Sequence, residues 1–327
     1  MEVAERSKVW FAVVNVYAAS KTASQRWEKA EQRLKEKGVV YHGNRTGRSG
    51  NAMEITFDAC MAGYRKFVAV GGDGTVHDVL NGIAAYVESM SEYSAGLSMS
   101  DFTLGVIPLG SGNDWVKSTG VPADICEAVD LLADPKIGKQ DVVRASVLDH
   151  MLRPMSDSYM ANVGGIGIDA RVCVNVNAQK AAGKRGKILY VIALLRAIKE
   201  RRPAAATVVC DGKTVFEGEY YSMAFGVGKY SGGGMRQTPA AVIDDGLLDM
   251  TIIPVLPFKR ILKEAWKLFT DSFLTIPELV AVKGKSIVVT PVAGSSEEPV
   301  EVDGEVVGKI SARFDVLDSQ INVVVGK

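Results

Sequence analysis

Short apolar runs alternate with amphipathic stretches over the first 140 residues. Val9-Trp-Phe-Ala-Val-Val14, Phe67-Val-Ala-Val70 and Thr103-Leu-Gly-Val-Ile-Pro-Leu109 have the length and composition of strands covered on both faces. Val39-Val-Tyr41 predicts one more strand. Residues 25–37 form a charged amphipathic helix stopped by Gly38, and residues 51–64 a second helix. After Phe67–Val70 the apolar residues Val76, Val79, Leu80 and Ile83 recur at helical spacing. Such alternation implies parallel strands joined by right-handed crossovers, an open α/β sheet, in a domain spanning 1–140.

The pattern changes after Gln140. Residues 142–148, 158–163, 206–209, 219–225, 247–253, 286–289, 300–302 and 312–325 read as strands. Turn pairs such as Asp211-Gly212, Asp245-Gly246 and Asp303-Gly304 separate them. Helical periodicity interrupts only at 187–199 and 258–274. A mainly antiparallel β domain over 141–327 is the economical reading. Residues 89–100, rich in serine, are expected to form a loop.

Composition narrows the class. The 327 residues carry 38 basic and 38 acidic side chains, 47% are apolar, and the formal net charge is zero. That apolar content excludes a disordered chain, and the length suits two domains. Zero net charge argues against a protein built to coat nucleic acid, so no nucleic-acid partner is expected. The longest helix-like apolar run, residues 188–195, falls short of the ~18 residues a membrane span requires. Cys60, Cys126, Cys173 and Cys210 show no paired spacing, and His42, His77 and His150 lie far apart. A disulfide frame, a zinc site and a histidine metal cluster are therefore not expected, and a cytoplasmic location is.

Three strands of the first domain end in polar or glycine-rich segments: Asn15, Gly71-Gly-Asp-Gly-Thr75 and Gly110-Ser-Gly-Asn-Asp114. Ligands of open α/β sheets bind outside the carboxyl ends of the strands, so these segments should converge. Glycines let backbone N–H groups approach an anion, and a helix starting near Val76 adds its dipole: together, a phosphate site. The alternative, that Gly-Gly-Asp-Gly is merely a tight turn with a helix cap, is the weaker reading even of that segment alone, and a second such segment at Gly110–Asp114 weakens it further. A Walker A loop is excluded, since Gly284-Lys285-Ser286 has Leu279 where the first glycine should stand. Gly165-Ile-Gly167-Ile-Asp-Ala170 fits a dinucleotide fingerprint only formally, lying in the β domain, and reads better as a turn or helix start. Val302-Asp-Gly-Glu305, on its residues alone, is more simply a β-hairpin with solvated acids.

The motifs together resemble the diacylglycerol kinase catalytic-domain family, which includes bacterial lipid kinases and sphingosine kinases. Gly71-Gly-Asp-Gly-Thr-Val-His-Asp-Val-Leu-Asn-Gly82 looks like its nucleotide loop and Pro108-Leu-Gly-Ser-Gly-Asn-Asp-Trp115 like its second signature. The likeness continues in order through residues 164–169, Ser231-Gly-Gly-Gly-Met235, Asp244-Asp-Gly-Leu-Leu-Asp249 and Val302-Asp-Gly-Glu305. The first loop is shared with NAD kinases and, more loosely, phosphofructokinases; the later segments are specific. The resemblance implies an α/β N-terminal domain with an open, mostly parallel sheet of NAD-kinase/phosphofructokinase type. It also implies a mainly antiparallel β-sandwich C-terminal domain.

The resemblance also implies roles. Gly71, Gly72, Gly74 and Thr75 would hold ATP phosphates, with Asp73 engaging catalytic Mg²⁺ directly or through water. Ser111, Gly112, Asn113 and Asp114 would line the nucleotide's other side, Thr46 would touch ATP, and Asn15 closes the first strand beside them. A second Mg²⁺ would sit at the Asp245 carboxylate with backbone oxygens of Val242 and Leu247, a donor set that suits a hard cation. Asp303 and Glu305 match the family's catalytic acids, with Glu305 the first choice to take the hydroxyl proton. Asp169 stands where sphingosine kinases bind the acceptor's polar head. One departure stands out: the family's Asn-Pro-x-Ser/Ala-Gly turn reads Asn15-Val-Tyr-Ala-Ala19 here, so the loop beside the phosphates loses its glycine.

The expected activity is ATP- and Mg²⁺-dependent transfer of a phosphoryl group to the hydroxyl of diacylglycerol or a related lipid such as a sphingoid base. The first domain (1–140) would bind the nucleotide, and the second (141–327) the lipid acceptor and the base. The lipid would be met at the membrane surface by a cytoplasmic, transiently associated protein, and the family leaves room for a homodimer. Apolar residues in 182–198 and 258–276 either line a lipid cleft or face the core. Lys180, Lys184, Arg185 and Lys187 form a basic cluster, either near anionic headgroups or simply solvated. Two rivals stand beside this reading: a soluble-substrate kinase of NAD-kinase type, and a non-catalytic nucleotide- or lipid-binding regulator.

Overall fold

The computed structural model describes residues 3–16, 23–47, 50–91, 96–110, 112–181 and 204–326. The chain divides into two compact units, Met1–Val142 with Asp318–Lys327, and Val143–Leu317. The expected helix at 187–199, Ser111, and much of the altered Asn15–Ala19 turn lie outside the described residues.

After a single turn, α1 (Val3–Arg6), the first unit builds a six-stranded sheet. Its strands are β1 (Trp10–Val14), β2 (Tyr41–Arg45), β3 (Lys66–Gly71), β4 (Thr103–Pro108), β5 (Lys136–Gln140) and the chain's last strand, β19 (Ile321–Val325). The order is β2-β1-β3-β4-β19-β5, parallel throughout except for β5. Val13, Phe67, Ala69 and Val70 have no solvent exposure, as strands covered on both faces require. From β1 the chain moves out to β2 and returns to β3 on the other side of β1, so the sheet's switch point lies between β1 and β3.

Helices α2 (Ala23–Glu36), α3 (Ala52–Met61), α4 (Asp73–Met90), α5 (Asp114–Thr119) and α6 (Ile125–Ala133) complete the unit. Trp27, Ala30 and Leu34 make the buried stripe of α2, and Val76, Val79, Leu80 and Ile83 that of α4. Arg33 of α2 grips both carboxylate oxygens of Asp130 in α6 at 2.8 Å.

Both edges of this sheet differ from the sequence reading. The strand expected at Val39–Tyr41 runs instead through Tyr41–Arg45, leaving Val40 two-thirds exposed, and β5 has no counterpart in the reading. Edge strands pair on one side only and need no continuous apolar run, so hydropathy does not mark them. The expected strand 312–325 is two strands. β18 (Ala312–Val316) stays in the second unit while β19 crosses to the first, where Val323 is wholly buried. The second domain therefore ends at Leu317 rather than at the C-terminus. Side-chain alternation marks a strand but not the sheet it joins.

The second unit is antiparallel, as expected. It comprises β6 (Val143–Leu148), β7 (Pro154–Met160), β8 (Val163–Gly167), β9 (Ala204–Cys210) and β10 (Lys213–Gly226), then a small ribbon of β11 (Tyr230–Ser231) and β12 (Met235–Arg236). After these come β13 (Leu248–Pro254), β14 (Val280–Gly284), β15 (Ser286–Pro291), β16 (Pro299–Val302), β17 (Glu305–Lys309) and β18. Apart from the ribbon these join one sheet, with the main path β17-β16-β8-β10-β9-β15-β18-β6-β7 and the pair β13-β14 branching from β10. Residues of β16 approach β7, and residues of β17 approach β6, so the sheet folds back on itself. Val208, Met223, Phe225, Leu248, Ile287 and Phe314 belong to its main core, where the rings of Phe225 and Phe314 stack at 4.0 Å. The strand read at 158–163 is broken at Ala161-Asn162 into β7 and β8.

Among the described residues, two α-helices belong to this unit, α7 (Ile168–Ala181) and α8 (Phe258–Glu264). The expected helix over 258–274 is α8 followed by two 3₁₀ turns, Ala265–Phe269 and Phe273–Thr275. No described helix is long and apolar enough to cross a membrane.

Candidate active site

In the first unit the site residues gather at the carboxyl ends of β1, β2, β3 and β4. Asn15 follows β1 and donates its backbone N–H to Val70, while Thr46 follows β2 and donates to Val14. Strand β3 runs through Gly71 and α4 begins at Asp73, so Gly72 alone joins them and the helix starts three residues earlier than expected. The glycines are dictated by close approach. A Cβ on Gly71 would lie 2.2 Å from Thr75 Oγ1, and one on Gly110 would lie 2.6 Å from Gly72 Cα. The two signature segments thus touch backbone to backbone, and the carbonyl of Gly71 accepts the N–H groups of Leu109 (2.7 Å) and Gly110 (3.0 Å).

Asp73 bridges the same two segments. Its carboxylate accepts the N–H groups of Asp114 and Trp115, each at 3.0 Å, and so caps α5 from a distant part of the chain. Gly112 lies beside Asp73 Oδ2, where an added Cβ would come within 3.3 Å. Asp114 pairs with Lys117 at 2.6 Å. Asn113 sits in the left-handed region, with φ 50°, and its amide donates to the Gly110 carbonyl at 2.8 Å. Arg26 of α2, which carries no sequence signal for a site, donates to the carbonyls of Leu109 (2.9 Å) and Pro108 (3.1 Å) and holds that turn.

Among the described residues of this unit, three buried side-chain polar atoms have no hydrogen-bond partner: Thr46 Oγ1, Thr75 Oγ1 and Asn113 Oδ1. Buried polar atoms are nearly always satisfied, so three orphans among the predicted nucleotide-site residues mark a place that a polar ligand completes. The threonine hydroxyls can donate to phosphate oxygens, and Asn113 Oδ1 can accept from a hydroxyl or amino group.

In the second unit the acidic residues converge on the β16–β17 hairpin. Asp303 (φ 51°) and Gly304 (φ 90°) form its turn, both in the left-handed region as the Asp-Gly pair foretells. The Asp303 carboxylate accepts the N–H groups of Ala161 (2.8 Å) and Asn162 (2.9 Å), the two residues that break β7 from β8. Glu305, the next residue but one, opens β17 with an exposed side chain that has no hydrogen-bond or ion-pair partner among the described residues.

Behind the turn lies Glu301, which the sequence reading missed because a glutamate in a strand reads as solvent-facing. It is buried, and its Oε2 accepts the Gly304 N–H at 2.8 Å. Burial raises its carboxyl well above the ordinary range, and the nearby negative charges of Asp169, Asp303 and Glu305 push the same way. Gly165 makes room for this group: a Cβ there would lie 2.9 Å from Asp169 Cβ and 3.0 Å from Glu301 Oε1. Asp169, second residue of α7, is also buried and raised by burial. It accepts the Ser222 hydroxyl and, at 2.6 Å, the Gln237 amide. A bidentate pair between Arg171 and buried Glu298 fixes the same helix. Gly167, with φ 88°, ends β8 just before that helix, so the segment that mimics a dinucleotide fingerprint is a strand end and helix start.

The second implied metal set does not fit a divalent cation. Asp245 Oδ1 accepts the Leu247 N–H at 3.1 Å, while Oδ2 pairs with Lys283 at 2.8 Å; the same ammonium reaches Asp249 at 3.0 Å. Lys283 stands directly across from Asp249 in the β13–β14 ladder, and Val242 is exposed. The carboxylate charge is thus already met by an ammonium. No group of three or more His, Cys, Asp or Glu residues suited to a metal occurs among the described residues. Sequence spacing around Asp245 gave no hint of a lysine 38 residues away.

Comparison with known proteins identifies both parts of the chain. Residues 9–145 match the diacylglycerol kinase catalytic domain, and residues 162–325 match the YegS C-terminal NAD kinase beta sandwich-like domain. The chain belongs to the diacylglycerol kinase family. Within it, a protein of Xanthomonas oryzae pv. oryzae named "Probable lipid kinase YegS-like" is 30% identical over 226 residues, 68% of this chain and 67% of the relative. The Bacillus subtilis diacylglycerol kinase is 24% identical over 303 residues, 90% of this chain and 89% of the relative. Two crystal structures from Bacillus anthracis str. Sterne share the fold of this diacylglycerol kinase family member. One covers 98% of each chain with TM-score 0.75 at 25% identity. The other, a diacylglycerol kinase, covers 97% of each with TM-score 0.70 at 21% identity.

Proposed function

We propose that the chain is an ATP-dependent lipid kinase that moves the γ-phosphoryl group of Mg·ATP to the hydroxyl of a diacylglycerol. The observation that carries this is the set of orphaned polar atoms on Thr46, Thr75 and Asn113, at strand ends where the glycines leave the backbone bare. Thr75, at the start of α4, donates to the phosphates where the helix dipole favours an anion. The Asp73 carboxylate would hold the Mg²⁺ that accompanies ATP, and that ion would supply neutralisation of the charge on the transferring phosphoryl.

Glu305 takes the acceptor's hydroxyl proton, being the acid of this hairpin turn with no partner among the described residues, while Asp303 holds the turn that presents it. Both oxygens of Asp169 are engaged by Ser222 and Gln237 inside the unit, which favours a neutral hydroxyl acceptor over a sphingoid ammonium. The test is transfer of radiolabel from γ-labelled ATP, with Mg²⁺, to a panel holding diacylglycerol, sphingosine and NAD⁺. Label in phosphatidic acid, lost in Glu305→Gln, is expected. Label in NADP⁺ alone would move the activity to the soluble-substrate class, and label in sphingosine phosphate would overturn the role given to Asp169.

A further inference from the structure

Helix α8 and the 3₁₀ turn after it present two unlike faces. On the inner one, Ile261 packs against Ile168, Val172 and Tyr221. Arg260 pairs with Glu278 at 3.0 Å and with Glu264 at 2.5 Å, and Lys267 pairs with Glu264 at 2.8 Å and donates to Thr275 Oγ1 at 3.1 Å. This face is fixed to its own unit. On the outer one, Leu262, Trp266 and Phe269 recur at helical spacing yet are 49%, 58% and 54% exposed. Exposed Lys259 and Lys263 flank them and have no ion-pair partner among the described residues.

The acids of the segment make their close pairs elsewhere, Glu264 and Glu278 with Arg260 and Asp271 with Arg236, and Lys263 acts on Glu264 only beyond ion-pair distance. A folded protein rarely leaves three large apolar side chains together in water unless a partner covers them. The partner's chemistry follows from what surrounds them. A tryptophan beside leucine and phenylalanine, rimmed by unpaired cations, suits the boundary between acyl chains and anionic headgroups. A protein partner would more simply use the apolar residues alone; the two ammonium groups, neither in an ion pair among the described residues, add complementarity to a surface of negative charge.

We propose that the outer face of residues 259–269 docks on an anionic lipid bilayer, inserting Leu262, Trp266 and Phe269 to headgroup depth with Lys259 and Lys263 on the lipid phosphates. That this docking brings the enzyme to its acceptor rests on the lipid-kinase reading; the docking itself does not. Of the chain's four tryptophans, Trp10, Trp27 and Trp115 are buried, so Trp266 is the one that solvent reaches and emission reports on it.

The experiment adds vesicles of phosphatidylcholine, with and without about a third phosphatidylglycerol, to the full chain and follows tryptophan emission and co-sedimentation. Emission should shift to the blue with the anionic vesicles, and high salt should weaken the effect. The triple variant Leu262→Ser, Trp266→Ser, Phe269→Ser should sediment at least ten-fold more weakly while phosphorylating a dispersed short-chain diacylglycerol as wild type does. Lys259→Glu with Lys263→Glu should reduce binding to anionic vesicles only. Equal sedimentation of wild type and triple variant overturns the proposal. So does a wild-type dimer that the triple variant converts to monomer without change in vesicle binding, since the face would then join two copies. An emission shift without any lipid phosphorylation would sink the kinase reading and leave the docking standing.

Discussion

The two units prepare for chemistry in opposite ways. In the first, the site is made of backbone and small side chains, and its buried hydroxyls and amide oxygen are left without partners. In the second, the carboxyl groups of Asp169, Glu301 and Asp303 are engaged within the unit, while neighbouring Glu305 has no hydrogen-bond or ion-pair partner among the described residues. A binding site must keep unsatisfied groups for its ligand, and the cost of leaving them is recovered on binding. A general base instead needs one unengaged group on a frame that does not move, so its neighbours are spent on rigidity.

The largest expected effect tests the free acid. Glu305→Gln removes the proposed proton acceptor and should lower kcat by roughly 10² to 10⁴, with ATP affinity unchanged in a calorimetric titration. An equal loss in both quantities would erase the division of labour between the units. Next, Gly110→Ala sets a methyl group 2.6 Å from Gly72 Cα and forces the two signature segments apart. The strain, about 1–3 kcal/mol, should weaken ATP binding roughly ten- to hundred-fold, while lipid transfer at saturating ATP changes much less.

A smaller effect concerns pH. Glu301 is raised above its ordinary 4.5 in the folded chain, so the folded state holds a proton that the unfolded chain releases. The stability tied to this group is full below about pH 4.5 and is lost as pH rises toward its folded value. Glu301→Gln is neutral at every pH and can still accept from Gly304. It should flatten that part of the decline in thermal melts between acid and neutral pH; a variant whose melting temperature tracks wild type throughout would show the buried acid to be charged. Smallest is Lys283→Met, which leaves Asp245 and Asp249 without their shared cation. With the lysine a third exposed, a loss of about 1 kcal/mol is expected, and Mg²⁺ should now raise the melting temperature, which it should not do for wild type without nucleotide.

What the sequence made legible follows the same contrast. The nucleotide half is local: Gly71–Thr75 and Gly110–Asp114 each sit at a strand end, so runs of hydropathy and glycine spacing located them. The supports are not local. Arg26 reaches a turn over 80 residues away, and Asp303 binds backbone 141 and 142 residues back. Glu301 and Lys283 look like ordinary surface charges until the fold buries one and sets the other across a ladder from Asp249. Hydropathy misplaces edge strand β2 and misses edge strand β5 because both lie largely in solvent, and it misses the break before β19 because alternation is blind to which sheet a strand will join.

That last strand has a consequence for how the molecule is made. β19 lies between β4 and β5, and β5 pairs with nothing else in its sheet. During synthesis the first unit therefore waits, its sheet short of an inner strand, until the whole second unit has been translated. The second unit interrupts the first and can fold before it is finished, so the early part of the chain carries an open parallel edge at β4 through most of translation.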